Sequence, residues 1–66
     1  MDILERVKRG ERDYINSEGK APTYLILDVY SYVDLCAALA REEVQTYEGL
    51  MVSTLVDEGQ NLIAFG

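Results

Sequence analysis

Apolar side chains in the first stretch fall at Ile3, Leu4, Val7, Tyr14 and Ile15, near one face at helical spacing. The pattern predicts a helix from Asp2 to about Ser17, with Asp2 and Glu5 in the first turn, where the helix dipole favours acids. Gly10 weakens the middle by about 1 kcal/mol relative to alanine, so a bend or break is expected there. Residues 16–22 make a stop and connector, with Gly19 in the left-handed position. Pro22 then opens a run from Thr23 to about Val29 that is rich in aromatic and apolar residues, a strand signature. Leu25 and Leu27 point to one side, Tyr24 and Ile26 to the other. Both sides are apolar, which predicts an inner strand covered on both faces.

A second helix is expected from Ser31 to about Glu42. Ser31 serves as N-cap, Asp34 as N3 of a capping box, and Tyr30 as a staple onto Leu35. Its buried stripe is Tyr32, Leu35, Cys36 and Leu39, while Ala37, Ala38 and Ala40 allow close approach of a neighbour. Val44 to Tyr47 is a connector or minor strand, and Glu48-Gly49 turns the chain. Leu50 to Val56 follows as a strand with Leu50, Val52, Thr54 and Val56 on one face. Asp57 to Gln60 is expected as a hairpin turn, and Asn61 to Phe65 as the return strand. The order is αβαββ, joined by a right-handed crossover. The expectation is one small α+β domain spanning 1–66, a mixed sheet packed by two helices.

Length changes the picture. A chain of 66 residues buries only about 60% of the surface its unfolded form exposes. A single core of that size rarely supplies more than about 3–5 kcal/mol, and small domains usually add a disulfide, a metal or a partner. Cys36 is the one cysteine and histidine is absent, so neither an internal disulfide nor a zinc staple can form. A partner subunit is the remaining source of support.

The net charge of −6 is unevenly placed. Residues 1–20 hold five bases (Arg6, Lys8, Arg9, Arg12, Lys20) and five acids (Asp2, Glu5, Glu11, Asp13, Glu18); residues 21–66 hold Arg41 against seven acids. So acidic a body repels phosphate, and nucleic acid is not expected as a partner. No apolar run approaches the length of a membrane span, and no signal peptide precedes the first charges, so a cytoplasmic protein without membrane contact is expected.

Chemistry is sparse. Catalysis calls for a nucleophile with a base, a metal cluster or a phosphate cradle. Histidine, the commonest general base, is missing, and Gly19 and Gly49 are isolated turn glycines. Asp57-Glu58 is better explained as a solvated turn than as a calcium site. No enzyme activity, cofactor or metal is expected. The five tyrosines are many for this length, and tyrosine is enriched at protein interfaces. Tyr32 and Tyr47 suit core and interface equally. Met51 with Leu55, or Leu50 with Val52 and Val56, would need a partner's surface. The uncharged return strand, with Leu62, Ile63 and Phe65, is a template for strand addition. The candidate interface is therefore Tyr32, Tyr47, Met51, Leu62, Ile63 and Phe65.

The helix followed by Gly19-x-x-Pro22-Thr23-Tyr24-Leu25-Ile26-Leu27, and then Tyr30-Ser31-Tyr32-x-x-Leu35, resembles part of the A-domain of encapsulins and tailed-phage major capsid proteins. The later step Tyr47-Glu48-Gly49-Leu50-Met51-Val52 is similar to that family's Tyr-x-Gly-hydrophobic-x-Val. The likeness covers about Ile3 to Val56, without the spine helix, extended loop or peripheral domain. It points to the short, A-domain-only, encapsulin-like proteins. The resemblance implies a non-catalytic structural domain that self-associates, as a ring-former or as a binder of a partner or cargo enzyme, and a homo-oligomer. The competing expectation is a small regulatory or adaptor protein, a viral or toxin–antitoxin accessory acting through protein contacts.

Overall fold

The computed structural model describes residues 2–55 and 62–66. Helix α1 spans Ile3–Glu18, β1 Tyr24–Asp28, α2 Val29–Ala38, β2 Thr46–Tyr47, β3 Leu50–Leu55 and β4 Ile63–Phe65. The fold is the expected small α+β domain, two helices on a four-stranded mixed sheet. The minor strand forms as β2.

Helix α1 is set by its ends. The Asp2 carboxylate accepts the Glu5 N–H at 2.9 Å, meeting one of the donors that a helix start leaves free. Gly19 closes the helix in the left-handed region (φ 76°), and its N–H donates to the Ile15 carbonyl at 2.8 Å. The helix runs through Gly10 without a break. That glycine instead lets the Phe65 ring approach, since a Cβ there would lie 2.7 Å from ring carbon Cε1. Ile3 and Val7 are buried, but Ile15, expected on the buried face, is exposed.

The start of α2 departs from expectation. Ser31 is not the cap. Asp28, the last residue of β1, is the N-cap, its Oδ2 accepting the Tyr30 and Ser31 N–H groups at 3.2 and 3.3 Å. Strand therefore passes into helix with no connector between them. A carboxylate caps at least as well as a hydroxyl, and Asp28 stands three residues earlier. Ser31 becomes the buried N3 residue, Asp34 is exposed within the helix, and Tyr30 is too exposed (67%) to staple onto Leu35. The helix also stops at Ala38 rather than Glu42. Ala40 turns left-handed (φ 55°), Arg41 N–H donates to the Cys36 carbonyl and Ala40 N–H to that of Ala37. This is a Schellman ending with alanine where glycine is usual.

The strand order is β2-β3-β1-β4. β1 runs parallel to β3 with α2 between them in sequence, and β4 lies antiparallel on the other side of β1. β4 is thus not the hairpin partner of β3. Residues 57–60, expected as the hairpin turn, lie outside the described residues, and the strands on either side of them are separated by β1. β1, apolar at every position but Asp28, takes an inner place and hydrogen-bonds along both edges. The tight hairpin is instead β2–β3, turned by Glu48 and Gly49 at φ 51° and 80°, the two left-handed residues of a type I′ turn.

The core is Ile3, Val7, Leu25, Leu27, Leu35, Cys36, Val44 and Leu50, with Leu4, Tyr32, Leu39, Tyr47, Val52, Ile63 and Phe65 packed against it. Both helices lie on the Leu25–Leu27 side of the sheet. The expectation that β1 is covered on both faces therefore fails: Tyr24, on the opposite face, is 49% exposed. Among the described residues no helix is long and apolar enough to cross a membrane.

Candidate functional site

Beside the short edge of the two-residue β2, three surfaces of this fold lack a cover among the described residues. The first is the outer face of the sheet. Strand alternation sends Tyr24 and Ile26 of β1, Met51, Ser53 and Leu55 of β3, and Ala64 of β4 to that side, away from both helices. Tyr24, Met51 and Leu55 are all large and exposed. The strand-end residue Asp28 shows the face no charge, because its carboxylate is turned into the start of α2 and is only 3% exposed. The second surface is the outward side of α2, where Val29, Tyr30 and Val33 are exposed. The third is the free edge of β4.

That edge has a defined hydrogen-bonding register. Tyr24 and Gly66 exchange both of their backbone bonds, at 2.9 and 3.2 Å, and Asp28 N–H donates to the Leu62 carbonyl at 3.3 Å. In an antiparallel pair such bonds alternate, so Ala64 bonds inward to β1. Ile63 and Phe65 turn their N–H and C=O groups outward. Their side chains lie on the helix side of the sheet, opposite Leu27 and Leu25. Phe65 packs on Gly10, its ring centroid 6.4 Å from that of Tyr14.

The expected interface residues are therefore scattered. Met51 stands on the outer sheet face. Leu62, Ile63 and Phe65 make up the edge strand and its approach. Tyr32 is occupied within the molecule, its hydroxyl oxygen accepting the Val44 N–H at 3.0 Å and fixing the segment after α2. Tyr47 is half-buried beside α1, where burial first, then the charges of Glu48 and Glu11, raise its phenol above the ordinary value of 10.0 and keep it protonated. The structure brings these two tyrosines to neither the open face nor the edge.

Sequence reasoning missed Asp28, which ties three elements together. Its Oδ2 caps α2, while Oδ1 accepts the Leu62 N–H at 2.9 Å and so pins the entry to β4. The carboxyl is held below its ordinary 3.8 by the Ser31 hydroxyl first, against burial, and then by the N–H groups of Leu62 and Ser31. The Ser31 oxygen itself is buried and meets no hydrogen-bond partner in full geometry. The hydroxyl therefore acts on Asp28 as a neighbouring dipole, and the backbone N–H groups are the bonds proper.

Among the described residues, one shallow groove lies between α1 and the β2–β3 turn (Val7, Lys8, Glu11, Tyr47, Glu48) and another between α2 and β3 (Val29, Tyr32, Val44, Val52). Among the described residues no group of three acidic, cysteine or histidine side chains converges as metal ligands would. Comparison with protein-family models, with curated proteins and with solved structures finds no match to this chain.

Proposed function

We propose that this chain is a non-catalytic self-association domain of the capsid A-domain type, which assembles with copies of itself into a small oligomer or a ring and can hold a partner enzyme. The observation that supports this reading is the sheet with one apolar face uncovered: Tyr24, Met51 and Leu55 stand exposed where a two-sided sheet would be packed. Exposed apolar patches of this kind mark interaction sites. A second copy is the favoured occupant because the described residues of the face present no charge. Two bodies of net charge −6 repel wherever their acids meet, and they can approach on a surface that has none. The exposed patch Val29, Tyr30 and Val33 on α2 supports the second reading, a regulatory or adaptor protein, since it lies on another side of the molecule.

Light scattering on a sizing column, with circular dichroism over a dilution series, tests the first reading. The expected result is a mass at least twice the 7.4 kDa of one chain and a melting temperature that falls on dilution. A single chain at high micromolar concentration, with a melt independent of dilution, overturns it.

A further inference from the structure

Resting on that self-association reading, we infer that the first contact between copies is an antiparallel, two-fold pairing of β4 with β4 of a second chain, centred on Ala64. The register follows from the backbone. Because Ile63 and Phe65 turn their N–H and C=O groups away from β1, a strand added on that side must bond to those two residues. Under two-fold symmetry Ile63 then bonds opposite Phe65 of the second copy, Phe65 opposite its Ile63, and Ala64 lies opposite Ala64.

The side chains suit this register. Each Phe65 meets an isoleucine across the strands, an aromatic and β-branched pair of the kind that stabilises sheets. Ala64 occupies the non-hydrogen-bonded position, where Cα atoms approach to about 4.5 Å and a small side chain fits. Among the described residues the edge carries no charged side chain, proline or bulge, the devices that block strand addition.

Charge selects a second copy as the partner. α1 packs over β4 and bears four bases (Arg6, Lys8, Arg9, Arg12) and four acids (Glu5, Glu11, Asp13, Glu18). The acid excess lies in residues 21–66. The β4 side is thus the side on which two identical chains of net charge −6 meet as balanced surfaces of both signs. Area points the same way. From strand spacing and rise, one open sheet face measures about 20 by 20 Å, or about 400 Å², half of the roughly 800 Å² per partner that a stable interface buries. Joining two sheets edge to edge doubles the continuous apolar face and brings it to that size. The edge pair is then the unit, and larger assembly uses the doubled face.

The test is disulfide trapping in the otherwise native chain. The Ala64→Cys variant, oxidised by glutathione, is expected to cross-link into a dimer at least tenfold faster than Ser53→Cys on the open face, since facing Cα atoms at that register lie within disulfide reach. Wild type, whose Cys36 is buried, serves as the blank. A second measurement needs no substitution. Amide exchange at Ile63 and Phe65 is expected to slow at least tenfold with rising concentration, with Ala64, already bonded to β1, changing little. Concentration-dependent mass without fast trapping at Ala64, and with protection appearing elsewhere, overturns the β4 pairing and leaves self-association standing. A chain that stays single at high concentration overturns both.

Discussion

Asp28 shows how much one side chain can hold. It caps α2 and pins the entry to β4, and its carboxyl lies below the ordinary 3.8 in the folded chain. On acidification the unfolded chain takes up this proton first. The stabilisation is complete above the ordinary value and is lost as pH falls through 3.8 and then through the lower folded value. Asp28→Asn is accordingly expected to lower the melting temperature at neutral pH, with the gap to wild type closing below about pH 4. Thermal melts from pH 7 to pH 3 check this, and a gap that stays constant would count against it. Ala40 stores strain of a different kind. An alanine held left-handed costs about 1–2 kcal/mol that glycine does not bear. Ala40→Gly is expected to raise stability by roughly 1 kcal/mol, read as a higher urea midpoint at unchanged slope; a lower midpoint would contradict it. Gly19 was legible in sequence because a glycine in a polar stretch after a periodic run has few other uses. Asp28 was not, because Ser31 offers equivalent cap chemistry one turn later and only the backbone path chooses between them.

Among the elements, α1, β1 and α2 follow their apolar periodicity closely, and misreadings gather at ends and joints. Ala38 is the last residue of α2 because the left-handed turn at Ala40 overrides a sequence that is helix-favouring through Glu42. Glu48-Gly49 was legible as a turn, but the hairpin it makes was not, because β2 has two residues and no alternation to detect. Met51 was legible as a surface candidate from its place opposite Leu50 and Val52 along β3. Apolar residues on both faces of a strand suggest two layers and so a covered Tyr24, whereas both helices take the same side of the sheet. Gly10 was read by propensity alone. Its use lies in a contact with Phe65, a residue fifty-five positions away (65 minus 10), and no local pattern announces such a contact.

At the scale of the molecule, composition and periodicity were enough for the class of fold, and the neighbour relations were not. Consecutive strands usually pair, so β3 and β4 read as a hairpin, yet β4 crosses to the far side of β1. The consequence is kinetic. β1 and α2 are continuous in sequence and β2–β3 closes over two residues, so these pieces assemble from short-range contacts. β4 has to close a loop of about forty residues, Leu25 to Phe65, whose entropy must be met before its contacts form. It docks last. Phe65→Leu is therefore expected to speed unfolding severalfold while leaving the folding rate within about twofold of wild type, and Leu27→Val to slow folding. Stopped-flow chevrons decide, and Phe65→Leu slowing folding as much as Leu27→Val would reverse the order. Until β4 arrives, β1 stands as an unguarded edge, apolar on both faces. The strand at the centre of the finished sheet is then the one most open to a wrong partner each time the chain refolds.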